Sequence, residues 1–153
     1  MKRILASLFL LLGLSLAQVG LANSQIHAVR GFMPDLKFTL ISAHKPEFTE
    51  KDVRGKVVLM FFGYANCPDI CPTSMAQLAD VMEKLGNDAE KVRILFVSVD
   101  PHRDTAPMLQ EYVENFDDRY ALGLTGTPQQ IADLARRYRV AYQIEKPRGE
   151  NPN

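Results

Sequence analysis

Tryptophan is absent from this chain of 153 residues, and cysteine and histidine are scarce, at two and three. Those counts exclude a disulfide-stapled mini-protein and a four-ligand zinc module. An excess of charge of one sign is also lacking: 18 Lys and Arg balance 18 Asp and Glu. Nucleic-acid binding relies on a basic surplus, so no nucleic-acid partner is expected. Repeats and low-complexity tracts do not occur. What is present is ordinary globular composition, 46% hydrophobic and 24% charged, which argues against disorder, a collagen and a multi-spanning membrane protein. The length suits one domain.

The first residues do not belong to that domain. Met1-Lys2-Arg3 is a short basic region, and Ile4 to Ala17 is an uncharged apolar stretch. Two small-x-small sites follow, Ser15-Leu16-Ala17 and Gly20-Leu21-Ala22. Residues 1–22 therefore read as a secretory signal peptide or a membrane anchor. Residues 4–22 approach the minimum of about 17–20 positions that a spanning helix needs, but Gln18 and two glycines weaken such a span. With no cysteine near the cleavage site, a lipoprotein anchor is not expected. Removing residues 1–22 takes away Lys2 and Arg3 and leaves a slight acidic excess. The expected location is extracytoplasmic, the periplasm in a Gram-negative cell, either free or anchored to the inner membrane. Thiols there meet oxidants and cycle through a disulfide or need a protecting metal.

Residues 23–54 form a mixed, polar lead-in segment with one alternating stretch, Lys37-Phe38-Thr39-Leu40-Ile41, that predicts a strand or small hairpin. Lys56 to Phe62 is a continuous apolar run, the pattern of a strand buried on both faces. A loop from Gly63 to Pro72 leads into a helix over 73–85 with Met75, Leu78, Ala79, Met82 and Leu85 on one face. Gly86-Asn87 ends it. Val92 to Val99 is a second apolar strand. Thr105 is placed to cap a helix carrying Leu109, Tyr112, Val113 and Phe116 on one face, with Pro107 tolerated in its first turn. Tyr120 to Leu124 predicts a third short strand. Thr127-Pro128-Gln129-Gln130 is a helix start with a capping box, followed by the apolar stripe Ile131, Leu134, Ala135 and Tyr138. Val140 to Ile144 reads as a last strand. Alternating strands and helices predict an α/β fold with a parallel sheet and right-handed crossovers. The active loops of such sheets lie at the carboxyl ends of the strands, here after Phe62 and after Val99.

Both cysteines fall in the first of those loops, in Cys67-Pro68-Asp69-Ile70-Cys71-Pro72. At i and i+4 on a first helical turn, side chains share one side with Cβ atoms about 5–6 Å apart. Two thiolates so placed can hold one soft metal ion or close a disulfide after a small adjustment. A helix N-terminus favours negative sulfur. The alternative, two small buried hydrophobes, fits poorly with a Pro-bracketed loop that contains every cysteine of the chain.

The sequence resembles the Sco/SenC proteins through Phe61-Phe62-Gly63-Tyr64, Cys67-Pro68-Asp69-Ile70-Cys71-Pro72, Val97-Ser98-Val99-Asp100-Pro101 with Arg103-Asp104-Thr105, and Gly123-Leu124-Thr125-Gly126. The resemblance covers roughly residues 35–148. It implies a thioredoxin-like fold and a copper chaperone for cytochrome c oxidase assembly, with copper as the metal. The implied partner is a copper-binding subunit of a membrane-bound oxidase, with a thiol reductant protein as a second partner class. Cys67 and Cys71 carry over as the metal-binding pair. The family's third ligand is a histidine beyond the last strand seen here, and no histidine follows His102. Residues 55–153 are thus expected to form an incomplete thioredoxin-like domain, lacking the C-terminal hairpin and last helix. A second function is open: an extracytoplasmic thiol–disulfide oxidoreductase, in which Cys67 and Cys71 would be the catalytic pair.

The remaining candidates carry less. His102 lies in the loop after Val99 and reads as a solvated loop residue; His27 and His44 receive no role. Asp100 is placed either to tune the thiols or bond the loop backbone, or simply to turn the chain before Pro101. Asp104 and Thr105 read as helix caps, and Asp69 as an acceptor for N–H groups of its own loop. Tyr64 and Pro68 are expected to shape the site without entering it.

Overall fold

The computed structural model describes residues 34–143. The expected leader over residues 1–22 lies outside them. Among the described residues no helix is long and apolar enough to cross a membrane.

The lead-in alternation becomes a hairpin of β1 (Thr39–Ser42) and β2 (Phe48–Thr49), paired antiparallel. Then follow β3 (Val57–Gly63), α1 (Ile70–Leu85), β4 (Val92–Ser98), α2 (Ala106–Glu114), β5 (Ala121–Thr125) and α3 (Pro128–Arg137). The five strands form one sheet in the order β2-β1-β5-β4-β3. Strands β3, β4 and β5 are mutually parallel, as a β-α-β-α-β run requires, whereas β1 joins β5 antiparallel. The sheet is therefore mixed and not wholly parallel.

Strand β4 is the axis of the core. Ile94 and Phe96 point to one side, with Cys71, Met75, Leu109 and Val113 of α1 and α2. Leu95 and Val97 point to the other, with Phe38, Leu40, Ile131 and Leu134. All four β4 side chains are fully buried, each contributing about 1.5–3 kcal/mol by leaving water. This two-sided burial is what the four consecutive apolar residues from Ile94 to Val97 encode.

Strand β3 departs from the same expectation. It is the edge strand of the described sheet, and the side chains from Val58 to Phe62 are only half-buried. Apolar content alone does not separate a central strand from an edge strand whose outer side has no partner among the described residues. Helix α1 begins at Ile70, three residues earlier than expected, so Cys71 is inside its first turn.

The capping signals hold well. Thr105 precedes α2, and the Thr127 hydroxyl accepts from the Gln130 N–H while the Gln130 side chain accepts from the Thr127 N–H. At the far end of α3 the expected strand Val140–Ile144 is not formed over Val140–Gln143; Ile144 lies outside the described residues. The reason is local. Arg139 takes a left-handed conformation, φ 57°, and the Val140 N–H reaches back to the Ala135 carbonyl at 2.8 Å. With the Arg139 N–H on the Arg136 carbonyl, this is a Schellman cap, and it uses the N–H that a strand would have needed.

Helix α2 presses onto β5 at Gly123, where a Cβ would sit 2.5 Å from the Leu109 carbonyl carbon. Since backbone cannot step aside as a side chain can, Gly123→Ala should destabilise the fold by at least about 1–3 kcal/mol, the scale of overpacking. Urea denaturation checks this; an unchanged midpoint would contradict the packing described.

Candidate functional site

The parallel register pairs Gly63 with Ser98, so β3 and β4 end together, and the Val99 N–H donates to the Gly63 carbonyl at 2.8 Å. The loops after the two strands share one sheet edge, as expected. Gly63 is the last residue of β3, and the chain then turns at Ala65 and Asn66, where the Cys67 N–H donates to the Tyr64 carbonyl at 3.2 Å. A Cβ at Gly63 would lie 2.9 Å from the Phe96 ring and 3.0 Å from the Cys71 sulfur. Glycine is thus required by close approach, and the Cys71 sulfur is turned inward against β3.

The two cysteines come together as the spacing predicts, but deeper. Cys67 is 8% exposed and Cys71 3%. Both are free thiols. The Cys71 N–H donates to the Cys67 sulfur at 3.4 Å. Burial alone would push the Cys67 thiol up. The Cys71 side chain, the Cys71 and Asp69 N–H groups and the Tyr64 hydroxyl outweigh it and bring the thiol below its ordinary value. These N–H groups belong to the start of α1, where unpaired donors stabilise an anion. Burial, then the Cys67 sulfur, pushes Cys71 up to about 11. The two thiols are therefore held differently: the thiolate is favoured at Cys67 and disfavoured at Cys71.

Tyr64 enters the site more than expected, since its hydroxyl favours the Cys67 thiolate; the Cys67 charge, with burial, raises the phenol in turn. Asp69 does not act as expected. Its exposed side chain makes no capping bond, and its backbone N–H is the group that serves Cys67.

Asp104 is the residue most misjudged from sequence. It does not cap α2, a task already filled by Thr105. Its carboxylate is buried, accepts the Ser98 hydroxyl at 2.6 Å, and accepts the Ala65 N–H at 3.0 Å from the loop that carries the cysteines. One carboxylate therefore ties the end of β4 to that loop. The available signal was negative: with Thr105 as the cap, Asp104 had no local work. Asp100 is buried and ion-paired with the exposed guanidinium of Arg103. Its N–H donates to the Ser98 hydroxyl at 3.0 Å, and its carbonyl accepts from the N–H groups of Arg103 and Asp104. It organises its own turn.

Tyr112 lies in the same apolar cluster as the cysteines, its ring 5.1 Å from that of Phe96. Its buried hydroxyl has no hydrogen-bond partner among the described residues, and burial, followed by the charge of Cys71 and Cys67, pushes it up to about 12. His102 and His44 are exposed, and His27 lies outside the described residues. Among the described residues no three His, Cys, Asp or Glu side chains converge as metal ligands.

The sequence profile described as SCO1/SenC matches residues 33–152. The chain belongs to the SCO1/SenC family. It is 42% identical to the mitochondrial protein SCO1 homolog 1 of Arabidopsis thaliana over 106 residues, covering 69% of this chain and 31% of that one. It spans about half the length of several other curated relatives. Bradyrhizobium japonicum ScoI, solved with copper bound, superposes with a TM-score of 0.66 at 39% identity, over 74% of this chain and 73% of that one. BsSco, described with a disulfide switch and as a member of the Sco family of cytochrome c oxidase assembly proteins, superposes at 0.59 with 29% identity, over 75% and 68%. The fold is therefore thioredoxin-like, as in the Sco structures.

Two predictions follow from the geometry. Iodoacetamide should label Cys67 before Cys71 in the reduced protein at pH 8, and the Cys67 rate should reach half its plateau at a lower pH than an unperturbed thiol, because a lowered thiol is a thiolate at lower pH. Equal labelling of the two, read by peptide mass spectrometry, would contradict the asymmetry. Asp104→Ala removes the acceptor of the buried Ser98 O–H and of the Ala65 N–H, and should cost about 1–3 kcal/mol. It should also speed hydrogen exchange at Ala65 more than at residues of α3.

Proposed function

We propose that this protein is an extracytoplasmic copper chaperone that receives Cu(I) on Cys67 and Cys71 and passes it to a copper-binding subunit of a membrane-bound oxidase during assembly. The observation that carries this reading is the pair of buried thiols brought together at the start of α1. Cu(I) accepts low coordination by soft donors, and both sulfurs lie among apolar side chains. The residues present therefore fit that ion. They fit Cu(II) less well, since it favours an imidazole and the described histidines are exposed and apart from the thiols. Transfer is an exchange of ligands. Each copper–sulfur bond that breaks is replaced by one to the acceptor, with no change in oxidation state. The bound copper of B. japonicum ScoI supports the reading.

A second reading rests on the asymmetry of the thiols. A Cys67 thiolate would attack a disulfide of a partner, releasing one partner thiolate and forming a mixed disulfide. Cys71, giving up its proton to water, would then attack the Cys67 sulfur and release the second thiolate. The partner gains two electrons, and this chain keeps a Cys67–Cys71 disulfide until a thiol reductant protein restores it. The raised Cys71 thiol opposes that second step at neutral pH, as it also opposes engagement of both sulfurs by a metal; the bound copper of B. japonicum ScoI is what favours the chaperone reading.

The test is anaerobic Cu(I) titration against a chromophoric chelator. The protein should bind one Cu(I), Cys67→Ala and Cys71→Ala should each abolish binding, and His102→Ala should change little. Tight Cu(II) binding lost in His102→Ala would overturn the ligand assignment. Absence of Cu(I) binding, combined with turnover of a partner disulfide, would put the oxidoreductase first.

A further inference from the structure

We infer that the cavity between the lead-in to β1 and helix α3 binds the C-terminal residue of a partner polypeptide, with its carboxylate on Lys37 and Arg137 and its apolar side chain over Phe38, Leu40 and Leu134. This site is separate from the thiols and does not depend on the copper reading. The cavity has a volume of about 240 Å³. Phe38, Leu40 and Leu134 are buried and belong to the apolar cluster on the other side of β4 from Cys67 and Cys71. One wall is a single face of α3, since Gln130, Asp133, Leu134 and Arg137 stand at i, i+3, i+4 and i+7. The other wall is the stretch from Lys37 to Leu40.

Charge selects an acid. Lys37 and Arg137 line the cavity from different walls, and neither forms an ion pair among the described residues. The one acid of the lining, Asp133, is already engaged by the Arg136 guanidinium at 2.9 Å and the Gln129 amide at 3.0 Å. Glu50, which acts on Lys37 from outside the cavity, accepts the Phe38 N–H at 3.3 Å. Two cations left without a counter-ion can meet a carboxylate through charge-assisted hydrogen bonds. An apolar floor with a few convergent polar groups is the usual form of a ligand site.

Size selects the source of that carboxylate. The cavity is smaller than the roughly 300–1,000 Å³ of sites for larger ligands, so it takes one side chain and its carboxylate, not a long acyl chain. A chain terminus also brings peptide carbonyls, and the lining holds a donor for them. The Gln130 side-chain oxygen accepts the Thr127 N–H at 2.7 Å, which leaves the Gln130 NH2 group to donate.

The plainer role of Lys37 and Arg137 is a solvated rim, and paired probes separate the two. The ¹⁵N-labelled full chain is titrated with N-acetyl-leucine, with its neutral isostere N-acetyl-leucinamide and with octanoate, reading the amide shifts of Thr39, Leu40 and Leu134. N-acetyl-leucine should bind with a Kd of about 1 mM, the scale for a ligand of its size. The amide should bind about fivefold more weakly, the upper scale for one exposed ion pair. Lys37→Gln and Arg137→Gln should each shrink that difference, and the double variant should abolish it, whereas Lys84→Gln on α1 should leave it intact. Equal affinity for acid and amide in the parent, or no shift at these amides far above that concentration, would overturn the inference. So would an equal loss in Lys84→Gln, which would report general charge and not this cavity. Tighter binding of octanoate than of N-acetyl-leucine would assign the cavity to fatty acids and overturn the peptide terminus as its occupant.

Discussion

The parallel pairing of β3 with β4 is the constraint on which the site depends. Because Gly63 stands opposite Ser98, two loops far apart in sequence leave the sheet at one place. Parallel strands need a crossover between them, and α1 is that crossover. The start of α1 is consequently fixed just beyond the end of β3, and the cysteines occupy the junction. A shift of one residue in this register would turn the side chains of β3 to opposite faces and move Gly63 from its contact with Phe96 and the Cys71 sulfur. Site and sheet are specified by the same hydrogen bonds.

Register brings the loops together, and buried polar groups hold them there. Asp104 and Ser98 are almost fully buried, where polar groups are costly unless bonded. Each finds its partners in the other and in nearby N–H groups, and one such bond crosses to Ala65 on the cysteine loop. That loop therefore does not rely on the two thiols for its shape. A disulfide or a shared metal would add to an arrangement already held in the thiol state, which under the proposed reading lets the site accept and release copper without refolding.

Much of this was legible in the sequence where the cause was local. The Thr127-Pro128-Gln130 start, the Thr105 cap and the apolar faces of the helices depend on residues within one turn of each other, and they appear as read. The doubly buried centre of β4 follows from the apolar run Ile94 to Val97. Features set by distant neighbours were not legible. The half-exposed edge position of β3 depends on what lies beside it, not on its own residues. The tie from Asp104 to Ala65 joins positions 39 residues apart, and no periodicity announces such a bond. The strand expected from Val140 yields to a helix cap made by Arg139, a left-handed residue that is neither Gly nor Asn. The C-x3-C spacing foretold that the thiols meet. It did not foretell that they meet inside the core, because depth follows from the close packing allowed by Gly63.

That depth shapes the chemistry of the pair. An exposed dithiol would lose both protons near the ordinary thiol range. Here helix N–H groups favour a thiolate on Cys67, while burial and the neighbouring negative sulfur keep the second proton on Cys71. Near neutrality the pair therefore holds at least that proton, and a metal ion must displace it to engage both sulfurs. Under the proposed reading this competition weakens copper as pH falls and keeps the site exchangeable at neutral pH, instead of a sink. The same proton retards closure of a disulfide, since Cys71 must become a thiolate before it can attack. Under the proposed reading a single electrostatic arrangement would thus temper metal retention and slow self-oxidation, two properties that suit the proposed extracytoplasmic carrier.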